Sequence, residues 1–295
     1  MQGRVITAYG RHFTVKLEDG STRQSFTKGK KTGVCVGDYV RLVLQGQEEA
    51  RIEEVLPRQN LLYRSDEMRS KQFAANVDLL CIVVAVQPTF SEDLLSRALV
   101  GAWSANIEPI ILLNKIDLQQ DYPHAKARLA VFANLGVKII EISTLQANDL
   151  KQKLIPLLSH KTSLLLGQSA MGKSSILNVL VPYAQAHTQE HSIALGTGKH
   201  TTTTTCLYEL PEHQLSIIDS PGFQSFGLKH LSLQEVIQGF PEFLPYIDYC
   251  RFYNCTHLHE PGCGVLQAIA ENHISPKRHE MYERILMECT APEKY

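Results

Sequence analysis

The chain has 295 residues, 44% hydrophobic and 20% charged, with a formal net charge of -1. That balance excludes a disordered chain and provides for a substantial core; at about 100–200 residues per domain, two or three domains are expected. The longest apolar run, 79–86, is eight residues, far below the ~20 a membrane helix needs. Residues 1–10 have no apolar leader, so a cytoplasmic protein without a membrane partner is expected.

The charge is uneven. Residues 1–64 carry 11 Lys and Arg against 7 Asp and Glu, whereas 231–295 carry 5 against 9. A basic N-terminal region suits a polyanionic partner, and equally a solvated surface. Short β-rich stretches at 4–8, 12–17, 39–44 and 50–56, separated by turn signals, predict a small barrel. The spacing suits an OB-fold, and an SH3-like barrel nearly as well. Residues 58–64 read as a linker.

From residue 65 strands alternate with helices. Strands are expected at 78–86, 109–113, 137–142 and 162–166, with helices at 92–105 (capped by Ser91), 122–135, 148–158 and 172–180. A hairpin over 206–210 and 214–218 closes the set. This pattern predicts a parallel-dominated sheet covered on both faces. Residues 231–295 read as mostly helical around a Cys/His knot, with a final helix starting at Ser275 and Pro276. No coiled coil or other oligomerisation signal is present, so a monomer is expected.

Gly167, Gln168, Ser169, Ala170, Met171, Gly172, Lys173 and Ser174 form a complete G-x-x-x-x-G-K-S, followed by Ser175, between an apolar strand and a helix. Glycines there let backbone N–H groups surround phosphate oxygens, and the helix N-terminus adds partial positive charge. Lys173 is expected to reach the β- and γ-phosphates and Ser174 to ligate Mg²⁺. Asp219-Ser220-Pro221-Gly222 ends another apolar strand. Asp219 suits the outer-shell Mg²⁺ role, and the Gly222 amide can sense the γ-phosphate. Asn114-Lys115-Ile116-Asp117 follows the strand at 109–113. The Asp117 carboxylate can accept two hydrogen bonds from a guanine edge, a donor pair that adenine lacks. Ser143 sits where a loop would support the base.

These parts specify GTP, but in an altered order. Asn114, Asp117 and Ser143 precede the phosphate loop, whereas in Ras-type GTPases they follow it. The order is that of a circularly permuted GTPase domain, and the Gly222 loop leads straight into the C-terminal segment.

On these motifs the chain resembles the ribosome small-subunit-dependent GTPase A family across essentially its whole length. The resemblance implies a multi-domain protein: an N-terminal all-β OB-fold that binds RNA (1–64), a central circularly permuted α/β P-loop GTPase domain (65–230), and a mostly helical zinc-binding domain (231–295). It implies a GTP-hydrolysing switch that binds the small (30S) ribosomal subunit and its rRNA, assists late maturation and is stimulated by the subunit. Gly198-Lys199-His200-Thr201-Thr202-Thr203 resembles the family's first switch, in which Thr202 or Thr203 would ligate Mg²⁺. Ala170 stands where the family more often has Gly.

Phe223 occupies the place of the glutamine that orients the attacking water in Ras-like enzymes. Slow intrinsic hydrolysis is expected, and His200 is the candidate catalytic group beside Lys173, set against a purely conformational role. A non-catalytic GTP-binding regulator is the alternative that Phe223 supports.

Cys250, Cys255, His257 and Cys263 supply three thiolates and an imidazole, a closed tetrahedral set suited to one structural zinc. The C-x4-C-x-H-x5-C spacing matches the resembled family; His259 is the rival ligand. With no open coordination position, a zinc-dependent RNA-processing enzyme is disfavoured. Cys35, Cys81, Cys206 and Cys289 read as ordinary buried thiols. Lys277-Arg278-His279 is the best local candidate for an RNA contact, set against a charged helix end.

Overall fold

The structure is a computed structural model that describes residues 1–27, 33–46, 48–65, 70–184, 205–223 and 226–290. Five strands build the N-terminal barrel: β1 (Gln2–Tyr9), β2 (His12–Leu17), β3 (Thr22–Thr27), β4 (Tyr39–Leu44) and β5 (Glu49–Val55). They run in the order β1-β2-β3-β5-β4, and β4 returns to β1 to close the barrel. The β3–β5 pair is parallel and its neighbours are antiparallel. This is the Greek-key closure of an OB-fold, which settles the choice between the two barrels. Alternation along β2 turns Phe13, Val15 and Leu17 inward onto Val5, Val40, Leu42, Ala50 and Ile52.

The sequence pattern did not locate β3. Its residues, TRQSFT, are mostly polar, so the strand is held by its neighbours' ladders rather than by an apolar face. The expected linker is a second correction. Arg58 grips the buried Asp38 with two nitrogens, at 2.7 and 2.8 Å. Strand β6 (Leu61–Ser65) then pairs with β7 (Ser70–Ala75) as a hairpin.

The central sheet follows the expected alternation. Its strands are β8 (Leu79–Ala85), β9 (Glu108–Asn114), β10 (Lys138–Glu141), β11 (Thr162–Leu166), β12 (Thr205–Leu210) and β13 (Leu215–Asp219). Helices α1 (Glu92–Ser104), α2 (Tyr122–Ala133), α3 (Ala147–Leu158) and α4 (Lys173–Leu180) lie between them. The order is β10-β9-β8-β11-β13-β12, parallel except for β12. Strands β8, β11 and β13 are buried along their whole length, as their unbroken apolar or near-apolar runs require. Ser91 caps α1 by accepting a hydrogen bond from the Leu94 amide at 3.2 Å, and Glu92 and Asp93 complement the helix N-terminus.

Barrel and sheet are continuous. Strand β1 pairs antiparallel with β12, Thr7 opposite Cys206 and Ala8 opposite Thr205. Arg4 donates to the Thr162 hydroxyl at 2.6 Å and to the Ser216 hydroxyl at 3.2 Å. Lys16 pairs with Glu209 at 2.5 Å.

The C-terminal segment holds α5 (Leu233–Gln238), α6 (Leu244–Ile247), α7 (Gly264–Ala270) and α8 (Pro276–Thr290). Met281, Tyr282, Ile285 and Leu286 of α8 share one core with Leu95 and Leu99 of α1. Residues 231–290 are therefore packed onto the nucleotide-binding sheet's own helix layer.

Candidate nucleotide site and metal centre

Four parallel strands end on one edge of the sheet, and each carries a predicted motif. Asn114 is the last residue of β9, Ser143 follows β10, Gly167 follows β11, and Asp219 is the last residue of β13. Loops at the carboxyl ends of parallel strands are where an open α/β sheet places its ligand. The permuted order has no geometric consequence, because strand position in the sheet, not chain order, brings the loops together.

The loops also brace one another. The Asn114 side-chain amide donates to the Met171 carbonyl at 3.0 Å. The Lys115 ammonium donates to the carbonyls of Ala170 at 2.9 Å and Gln87 at 2.8 Å. Thus the first two residues of the guanine motif hold the phosphate loop. Ser143 donates to Asp117 Oδ1 and accepts from the Leu145 amide at 3.2 Å, which aims the carboxylate. Sequence reasoning missed the Gln168 side chain: its Oε1 accepts the Ser91 amide at 2.8 Å, tying the phosphate loop to the start of α1. Nothing in a variable motif position signals such a bond.

Two backbone features explain the residue types. Gly172 has φ +96°, and a Cβ there would lie 2.2 Å from Asn114 Nδ2, so only glycine fits under the bracing asparagine. Ala170 also has positive φ, +64°. That conformation costs an L-residue about 1–2 kcal/mol, a cost that glycine would not carry.

Lys173 is only 7% exposed, and its ammonium donates to the carbonyls of Gly167 at 2.8 Å and Gln168 at 3.0 Å. Burial pulls its pKa down, and the Asp219 charge partly opposes this. A buried cation at the start of α4, held on two carbonyls of the phosphate loop, is matched to an anionic ligand. Gly222 lies against this loop: a Cβ on it would be 3.2 Å from Ser169 N and Cα and 3.5 Å from Lys173 Nζ. Ser220 anchors the turn by donating to the Leu165 carbonyl at 2.6 Å. The Phe223 side chain is 2% exposed and packs 5.7 Å from the Phe226 ring, so it points into the core and cannot serve an attacking water. Residues 198–203, including His200, Thr202 and Thr203, lie outside the described residues.

The four predicted metal ligands converge. One ligand atom from each of Cys250, Cys255, His257 and Cys263 lies within 4.8 Å of the others. His257 Nδ1 is 3.4 Å from Cys263 Sγ and 3.6 Å from Cys250 Sγ. Burial pushes the Cys255 thiol up to about 12 and raises that of Cys263; a central cation supplies the charge that makes them thiolates. Burial lowers the His257 pKa, which keeps the imidazole in its ligating neutral form. The amides of Gly264 and Leu266 point at Cys250 Sγ and Cys263 Sγ, at 3.4 and 3.5 Å. The donor set therefore fits a metal ion. Among the four ligands, none is His259.

The loop around the cluster is held from α8. His279 Nε2 donates to the His257 carbonyl at 2.7 Å, and the Tyr282 hydroxyl to the Thr256 carbonyl at 2.6 Å. Here the RNA-contact expectation for Lys277-Arg278-His279 is corrected. Arg278 is 1% exposed, donates to Glu242 at 2.6 Å and lies over the Phe240 ring at 4.4 Å. His279 is likewise buried. Both serve the interior, and of the three only Lys277 is exposed, so the triplet forms no continuous basic surface.

The RsgA GTPase family model matches residues 55–229. A curated relative, the small ribosomal subunit biogenesis GTPase RsgA of Bordetella pertussis, is 58% identical over 294 residues, covering 100% of this chain and 98% of its own. Its namesake in Burkholderia pseudomallei is 50% identical over 291 residues, covering 98% and 92%. Among solved structures, YjeQ from Thermotoga maritima superposes with a TM-score of 0.74 at 27% identity, covering 99% of both chains. YloQ, described as a circularly permuted GTPase, superposes with a TM-score of 0.71 at 28% identity, covering 100% and 96%. With its permuted strand-end motifs and its Cys₃His cluster, this chain belongs to the RsgA GTPase family and is a GTP-hydrolysing enzyme.

Proposed function

We propose that this GTPase acts in biogenesis of the small (30S) ribosomal subunit, binding the subunit and its rRNA and hydrolysing GTP when they are engaged. The observation that carries this reading is the buried Phe223 beside the described phosphate and guanine loops. Among the described residues none stands where it could orient the attacking water, which leaves that role to His200 or to a group that the partner supplies. The names of curated relatives at 58% and 50% identity supply the partner's class.

In this reading Gly167 to Ser175 and Lys173 hold the phosphates, and Asp117, aimed by Ser143, reads guanine. Asn114 and Lys115 keep the phosphate loop in place. The Gly222 amide meets the γ-phosphate. Mg²⁺ would be held by Ser174, with Asp219 in its outer shell and a threonine at 202 or 203. It would neutralise charge on the β- and γ-oxygens. His200 is the candidate for handling the water. The Cys₃His set would hold one zinc in a structural role.

The functional partition is 1–64 for RNA binding, 65–230 for GTP and 231–295 for zinc. Exposed Tyr9 on the barrel, and Tyr249, Phe252 and Tyr253 around Arg251 in the zinc region, offer faces on which unpaired bases can stack. No helix among the described residues is long and apolar enough to cross a membrane. In this reading the protein meets the subunit in the cytoplasm as a monomer.

The test is GTP turnover alone and with purified small subunits, with Asp117→Asn as control. A low basal rate that climbs strongly only with subunits is expected. Asp117→Asn should lose about 100-fold in GTP affinity, because an amide cannot accept from both guanine donors. Turnover that subunits do not stimulate overturns the proposal.

A further inference from the structure

The chain that leaves the Gly222 loop is caught at one residue by the C-terminal helix. The Leu228 amide donates to Glu288 Oε1 at 3.0 Å, and the Cys289 thiol donates to the Leu228 carbonyl at 3.1 Å. Adjacent residues of α8 thus hold both backbone groups of one residue. Glu288 is itself fixed: its other oxygen accepts from Arg97 of α1 at 2.5 Å, and Arg97 donates to Asp93 at 2.8 Å. The rings of Phe223 and Phe226 are buried against each other at 5.7 Å, and Phe226 rests on Gly101, where a Cβ would be 2.8 Å from the ring. Gly222 thus stands against the phosphate loop and Leu228 is held by α8. Packed rings between two fixed points transmit a displacement rather than absorb it.

We propose that Glu288 and Cys289 are positioning residues for hydrolysis, which through Leu228 set where the Gly222 amide stands relative to the third phosphate. This rests on the reading that Gly222 meets the γ-phosphate. The same helix carries His279 and Tyr282, whose bonds hold the metal loop. At 1.5 Å per residue, His279 and Glu288 are only about 14 Å apart along its axis. One rigid element thereby connects the metal loop to the exit of the switch, and a shift at either end biases the other.

The experiment uses the full-length, zinc-loaded protein and compares affinity for a non-hydrolysable GTP analogue with affinity for GDP. Glu288→Ala is expected to lower the analogue-to-GDP preference about fivefold or more, by weakening the analogue alone, to raise KM for GTP by the same factor and to lower kcat. Glu288→Gln keeps an acceptor for the Leu228 amide and is expected to restore most of the preference. The proposal is overturned if Glu288→Ala leaves the preference within about twofold, if both affinities fall together, or if Glu288→Gln is no better than Ala. Gly222→Ala separates the premises. If it leaves the preference unchanged, the reading of Gly222 is wrong; if it lowers the preference while Glu288→Ala does not, only the clamp fails. Should Glu288→Ala not fold, amide exchange in the wild-type protein decides. Slow exchange of a peptide containing Leu228 in both nucleotide states, with 219–223 responding to nucleotide, supports the clamp. Fast exchange at Leu228 overturns it.

Discussion

The nucleotide site and the metal centre lie in one chain but are organised by opposite means. Every loop of the first hangs from the end of a parallel strand, and its side chains tie loop to loop: Asn114 to Met171, Lys115 to Ala170, Ser143 to Asp117. No strand among the described residues reaches the second. Its four donors sit on turns and at the start of α7, steadied by two bonds from α8 and by Glu260, whose carboxylate accepts from Thr256, Leu258 and His259. Burial alone would raise the Glu260 pKa, but those bonds hold it down to about 2. A sheet fixes loop positions before any ligand arrives. A knot of turns like this one would draw its order from an ion held by its four donors.

Metal removal is the harshest test of that contrast. Chelation, or Cys255→Ser, is expected to cost residues 250–263 on the order of 5 kcal/mol or more. Proteolysis should then cut that loop while the parallel sheet keeps its protection. Joint loss of both regions would show that they are one cooperative unit. Lys173→Ala acts on the other side: kcat/KM for GTP should fall about 100- to 1000-fold, or ~3–4 kcal/mol, with the thermal midpoint nearly unchanged. Gly172→Ala is smaller. Adding a Cβ at φ +96° and pushing Asn114 aside should cost ~2–3 kcal/mol, read as weaker nucleotide binding and a lower melting point. Ala170→Gly is the mildest: relief at φ +64° is offset by unfolded-chain entropy, leaving a gain of no more than about 0.5 kcal/mol in chemical denaturation.

The contrast also separates what could be read before the fold was known. Buried parallel strands such as β8 and β11 announce themselves as apolar runs, and phosphate and guanine chemistry needs particular residues at particular spacings, so both were legible. The metal ligands were legible for the same reason. Strand β3 and the β6–β7 hairpin were not, because half-exposed antiparallel strands carry mixed residues and take their shape from neighbours. Burial of a charge was the other blind spot. Arg278 looks like surface until Glu242 and Phe240 are seen around it. The bracing role of Asn114 and the bond from Gln168 to Ser91 depend on loops far apart in sequence, which a local pattern does not encode.

The continuity of β1 with β12 has a consequence for the order of events during synthesis. The barrel has its own small core and can close as soon as residue 55 has emerged, yet the edge of β1 that holds Thr7 and Ala8 waits for a strand made about two hundred residues later. The guanine loop emerges before the phosphate loop, and Asp219 and Gly222 come last. Long-range pairings of this kind are completed late, because their loop-closure entropy must be met before the contacts repay it. A nascent chain therefore cannot form its nucleotide pocket until the final sheet strand is out. The barrel is ready well before the nucleotide pocket.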